Sequence, residues 1–83
     1  MSDLKVYDAL VRLEYDYENE YGDSRRGWVT FVGEWQSNVP IPAMISKIAS
    51  ELENSVRQGA TPERKNFKNF IVTNHNFEEA IDV

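Results

Sequence analysis

Three carboxylates recur at every second position in residues 11–18, Val-Arg-Leu-Glu-Tyr-Asp-Tyr-Glu. On an extended strand Glu14, Asp16 and Glu18 share one face, spaced by about 6.7 Å, because side chains alternate and the chain rises ~3.3 Å per residue. Such a row resembles the charge spacing of a nucleic-acid strand. Glu20 and Asp23 carry the negative charge onward. The five acids could therefore steer the chain onto a basic, nucleic-acid-binding surface of another protein. The same alternation also suits a solvated strand face that keeps a sheet soluble and blocks edge pairing. Acid–base work across a glycosidic bond is the weaker reading of Glu14 and Asp16, since an open strand offers no wall to raise one carboxyl's pKa.

Other chemistry finds little support. An EF-hand loop starting at Asp16 would need glycine at its sixth place and glutamate at its twelfth, where Tyr21 and Gly27 stand. His75 is the only histidine, set between two asparagines, and the chain has no cysteine. Zinc coordination, thiolate catalysis and disulfides are therefore not expected. No serine sits in a nucleophile elbow, and Gly22, Gly27, Gly33 and Gly59 fit no phosphate-binding loop. The expectation is a protein that is not an enzyme, without cofactor or metal, and with no evident small-molecule substrate.

The net charge of −5, from 14 acids against 9 bases, disfavours nucleic acid as a general partner and permits a basic one. The N-terminal residues lack the basic and apolar runs of a signal peptide. No apolar stretch approaches the ~20 residues of a membrane helix. A cytoplasmic, non-membrane protein is expected. With 83 residues, 41% of them hydrophobic, the chain reads as one small domain over residues 1–83, with little room for a deep pocket beside its core.

The elements that would position these residues follow from periodicity. Val11, Leu13, Tyr15 and Tyr17 form the apolar face of a first strand. Leu4 and Val6 take the other parity, which suggests a bent strand with a bulge near Asp8 and Ala9, or else a helical turn over residues 3–9, which Leu4, Tyr7 and Val11 would suit. Residues 19–27 read as an exposed, mobile turn in which Arg25 and Arg26 balance Glu20 and Asp23. Residues 28–35 read as a second strand, with Val29, Phe31 and Trp35 on the core side. Trp28 and Val32 then share the outer face with the acids, as an apolar anchor for a partner. Pro40 and Pro42 precede a stripe of Ile41, Ile45, Ile48, Leu52 and Val56, widened by Met44 and Ala49, and Gly59 follows it. That pattern predicts an amphipathic helix with a glycine stop.

Thr61-Pro62-Glu63 suggests a further helical turn, and residues 67–73 a third strand. Asn76-Phe77-Glu78-Glu79 matches a capping box and predicts a short C-terminal helix, with Ala80 and Ile81 turned inward. The fold class is α+β: a two-layer ββαβ sandwich whose antiparallel sheet runs in order 2-1-3.

By composition the chain resembles small accessory proteins of the phage-encoded inhibitor kind, which would place it in a host cytoplasm. The leading functional expectation is a non-enzymatic binding module or inhibitor that uses Glu14, Asp16, Glu18, Glu20, Asp23, Trp28 and Val32. The alternatives are a structural homodimer, and a weak RNA or DNA binder using Arg57, Arg64, Lys65 and Lys68 with Phe67 and Phe70 between them.

Overall fold

A computed structural model describes residues 4–80. Strand β1 (Lys5–Glu18), strand β2 (Ser24–Ser37), helix α1 (Ile41–Gln58) and strand β3 (Lys65–Glu79) follow one another. The sheet is antiparallel throughout, in the order β2-β1-β3. This is the α+β, ββαβ arrangement expected from the sequence, with α1 packed across one face of the sheet.

The alternation in β1 begins earlier than residue 11. Ala9, Val11, Leu13 and Tyr15 are all buried, on the face that α1 covers. The pairing of β1 with β2 runs without a shift from Lys5 opposite Ser37 to Glu18 opposite Ser24. There is accordingly no bulge at Asp8 and Ala9, and Leu4 and Val6 mark the outer face rather than a change of face. Register shifts occur instead on the β3 side, around Leu13, Asp16 and Glu18. There Asn66 and Asn69 adopt φ of 53° and 58°, a conformation that asparagine tolerates better than most residues.

The hairpin connection is tighter than expected, because β2 already starts at Ser24. Asn19 organises it. Its Oδ1 accepts from the backbone N–H of Tyr21 and of Asp23, each at 2.9 Å. Its own N–H donates to the Asp23 carbonyl at 3.0 Å. Gly22, at φ 80°, supplies the left-handed step of the loop. Further along, Gly27 lies directly under the Tyr15 ring. A Cβ built at Gly27 would stand 2.7 Å from Tyr15 Cε2, so only glycine lets the ring lie flat on the neighbouring strand.

In α1 the proline at the second position costs no hydrogen bond, and the Pro40 carbonyl accepts from Ala43 and Met44. Met44 and Ile48 are its fully buried residues, whereas Ile41 is exposed. The stripe is thus centred on the line of Met44 and Ile48, with Leu52 packed beside it. Gly59 ends the helix at φ −87°, not in the left-handed region. It does so through its N–H, which donates to the Ser55 and Val56 carbonyls.

Two helical expectations give way to sheet. Thr61 and Arg64 bond to each other through both backbone groups, at 2.9 and 3.1 Å, around Pro62 and Glu63. Proline's fixed φ favours that tight turn. The capping-box residues 76–79 extend β3: Phe77 pairs with Ala9 and Glu79 with Tyr7. Phe77 meets the Tyr7 ring edge-on at 6.2 Å, and the Ala80 N–H donates to the Val6 carbonyl at 2.8 Å. The first half of β1 needs a partner on this side, and a long β3 satisfies its backbone groups where a helix would leave them bare. Ile81 lies outside the described residues.

Candidate functional site

Because α1 occupies one face, the other face of the sheet is open. The side chains of Glu14, Asp16 and Glu18 lie on that face, opposite in parity to Leu13 and Tyr15. Trp28 and Val32 lie there too, 59% and 72% exposed. Five of the seven residues singled out from sequence are therefore brought together. Glu20 and Asp23 sit apart in the exposed hairpin loop, beside Tyr21.

The acid row is not bare. Arg26, on β2, donates from Nε to Glu14 Oε1 at 2.9 Å and from Nη1 to Asp16 Oδ1 at 3.3 Å. It does not balance Glu20 and Asp23; strand register sets it opposite Asp16. From β3, Asn69 Nδ2 donates to Asp16 at 2.9 Å and Asn66 Nδ2 to Glu18 at 3.0 Å. Lys68 and Lys65 face the same two acids across the strands. Interaction with the Thr73 side chain, and then the Arg26 guanidinium, holds the Glu14 carboxyl below its ordinary value of 4.5. The pairing raises the pKa of Arg26 in turn, led by its bond to Glu14. The row acts as a charge ladder that ties the central strand to both neighbours.

Arg12 links this ladder to the tryptophan. Its guanidinium carbon lies 5.0 Å from the centroid of the Trp28 ring. Its Nε stands 3.3 Å from Glu14 Oε2, an ion-pair separation, but this buried nitrogen makes no hydrogen bond. Trp28 and Ile71 flank Glu14 from the two outer strands. Ile71 is 54% exposed, so a ring and a branched aliphatic side chain stand in water on either side of the central strand.

A second set of acids escaped the sequence reading. Asp8 faces Glu34 on β2 and Glu78 on β3. This places three exposed carboxylates in one row across the open face. Among the described residues none of the three makes an ion pair. A shallow depression of 320 Å³ lies between them, floored by Leu10 and Val32. The signal was present in Glu34, which shares parity with Trp28, but an expected bulge at Asp8 and a helix at Glu78 hid the other two.

The basic cluster near the helix end is committed locally. Arg57 bonds to Glu53 and to the Phe67 carbonyl, and lies 4.8 Å from the Phe70 ring centroid. Arg64 donates to the Tyr15 hydroxyl at 3.1 Å and lies 4.7 Å from the Tyr17 ring. Phe67 and Phe70 both pack on Tyr15, with centroids at 5.6 and 5.3 Å. These rings serve the core.

No helix among the described residues is long and apolar enough to cross a membrane. Comparison with protein-family models, curated proteins and solved structures finds no match to this chain.

Proposed function

We propose that this chain is a non-enzymatic protein-binding module that docks the open face of its sheet onto a basic surface of a partner protein. One observation carries the reading. Trp28, Val32 and Ile71 stand exposed on a face whose Asp8–Glu34–Glu78 row is unpaired. Like charges directly opposite one another in a sheet cost stability, and a cationic partner would offset that cost. The apolar residues supply contact area, and the acids supply steering and orientation. Glu14, Asp16 and Glu18 are matched by Arg12, Arg26, Lys65 and Lys68 and act within the sheet, while Glu20 and Asp23 add negative charge at the hairpin tip. Inhibition of an enzyme or of a nucleic-acid-binding protein is one consequence such docking would have.

The test is retention of a partner from native lysate by the immobilised chain, compared with a double variant, Asp8→Lys with Glu78→Lys. Both positions are exposed and away from the core. A basic protein should be held by the natural chain, be released as salt shortens the screening length, and be lost from the double variant. Equal retention by both chains at every salt concentration would remove the open face from the account. Reversing Asp16 would be a poorer probe, since it would place a lysine between Arg26 and Lys68 and disturb the sheet itself.

A further inference from the structure

The two edges of the sheet are built differently. β3 breaks register with β1 three times, carries two left-handed asparagines, and includes Lys65 and Lys68. Bulges and lysines are the usual devices that stop an edge from pairing. β2 has none of them. Its sequence Ser-Arg-Arg-Gly-Trp-Val-Thr-Phe-Val-Gly-Glu-Trp-Gln-Ser contains no proline and no lysine, and its register with β1 is unbroken.

The direction of its free backbone groups follows from the hairpin. The Asn19 N–H bonds to the Asp23 carbonyl, so the odd-numbered residues form the hydrogen-bonded pairs with β1. Antiparallel ladders alternate. The even residues of β2, from Ser24 to Gln36, therefore aim both N–H and C=O at the free edge, where no strand of the sheet lies.

We propose that β2 pairs antiparallel with β2 of a second copy, with Thr30 opposite Thr30 on the two-fold axis. The choice of register rests on complementarity. With the axis at Thr30, Arg26 of each chain faces Glu34 of the other. Trp28 of each chain faces Val32 of the other, and Val29 faces Phe31 on the helix side. Moving the axis to Val29, Phe31 or Val32 loses the charge pair and the Trp28–Val32 match. Arg26 is free to take part, because its bonds to Glu14 and Asp16 use Nε and Nη1 and leave Nη2. Gly27 falls opposite Gly33, so nothing bulky blocks the approach.

The result is a six-stranded sheet with both helices on one side. The two β1 strands would be three strand spacings apart, about 14 Å. Helices centred over them need only ~8–10 Å between axes, so they fit side by side. On the open side, each exposed Trp28 gains an apolar neighbour. A two-fold contact of this kind is self-complementary and closes after two copies. It shares Trp28, Val32 and Glu34 with the docking face proposed above, but its failure is distinguishable from the failure of that reading, because self-association is read as mass and the basic partner as retention.

The experiment uses the absence of cysteine in the chain. The mass of the natural chain is measured by sedimentation over a concentration series, and Thr30→Cys and Val32→Cys variants are oxidised mildly. Facing Cα atoms in a hydrogen-bonded pair lie about 5.5 Å apart, within reach of a disulfide. The inference predicts a dimer, a covalent dimer from Thr30→Cys, and none from Val32→Cys. Glu34→Arg, which sets two arginines together at both ends of the contact, should weaken self-association about tenfold. A monomer at every concentration overturns the proposal. Cross-linking through Val32→Cys in place of Thr30→Cys overturns the register.

Discussion

Truncating Ile48 to alanine should cost far more than truncating Trp28, although tryptophan loses many more atoms. Ile48 is 1% exposed and packs on Ala9 and Val11 beneath the helix. Its truncation removes three carbon atoms, each worth about 0.8 kcal/mol in transfer from water. The cavity left behind adds to this, giving ~3–4 kcal/mol. A chain of 83 residues has about 4–12 kcal/mol of total stability, so Ile48→Ala should lower Tm by roughly 12–32 °C or prevent folding. Trp28→Ala removes a side chain that is 59% exposed, so it loses the contact with Arg12 and only part of a ring's burial, and leaves no closed cavity. A cation–π contact at an exposed site is worth ~0.5–1 kcal/mol. Guanidinium titration in dilute solution, followed by circular dichroism, measures both. A loss below about 1 kcal/mol for Ile48→Ala, or a larger loss for Trp28→Ala, would refute the assignment of covered and open faces.

Three further outcomes follow from the geometry. Gly27→Ala should destabilise by about 1–3 kcal/mol through overpacking against the Tyr15 ring, read as a shifted thermal midpoint; an unchanged midpoint would contradict the stacking of Tyr15 on β2. Asn69→Ala should cost ~1–2 kcal/mol, because alanine at positive φ is strained and the bond to Asp16 is lost, whereas Asn69→Gly should recover the backbone part. Glu14 has a lowered pKa in the folded chain, so its share of stability is full above its ordinary value of 4.5 and is lost as pH falls through the lower folded value. Glu14→Gln should therefore flatten the acid limb of a stability-versus-pH curve, and an unaltered limb would show that the surroundings of Glu14, the Arg26 bond among them, contribute nothing.

Much of this was legible in the sequence because strand alternation is a short-range signal. Val11, Leu13 and Tyr15 against Arg12, Glu14 and Asp16 fix which side of β1 meets the core. Val29, Phe31 and Trp35 do the same for β2, and so place Trp28 and Val32 outside. What could not be read was pairing across strands. The partner of Arg26 depends on register, which set it opposite Asp16 rather than near Glu20 and Asp23. The Asp8–Glu34–Glu78 row brings together three distant segments, of which only Glu34 showed its face locally. The end of β3 was obscured because Asn74 and Asn76 disfavour strands and Asn76 with Glu79 imitates a helix start. Tertiary pairing with the first half of β1 overrode that preference. In α1 the centre of the stripe shifted to Met44, which is fully buried while Ile41 is exposed; methionine reads as a weaker core signal than isoleucine in a bare sequence, although its flexible side chain packs as well.

The most direct test of the account uses its two tryptophans one at a time. In a Trp35→Phe chain the remaining Trp28 should emit as a water-exposed indole and be strongly quenched by acrylamide. In a Trp28→Phe chain the remaining Trp35, which packs edge-on against Phe31 at 5.7 Å on the helix side, should emit to the blue and be quenched much less. Equal quenching of the two, or a shielded Trp28 in dilute chain, would mean that the face assigned to partners is already covered by the protein itself.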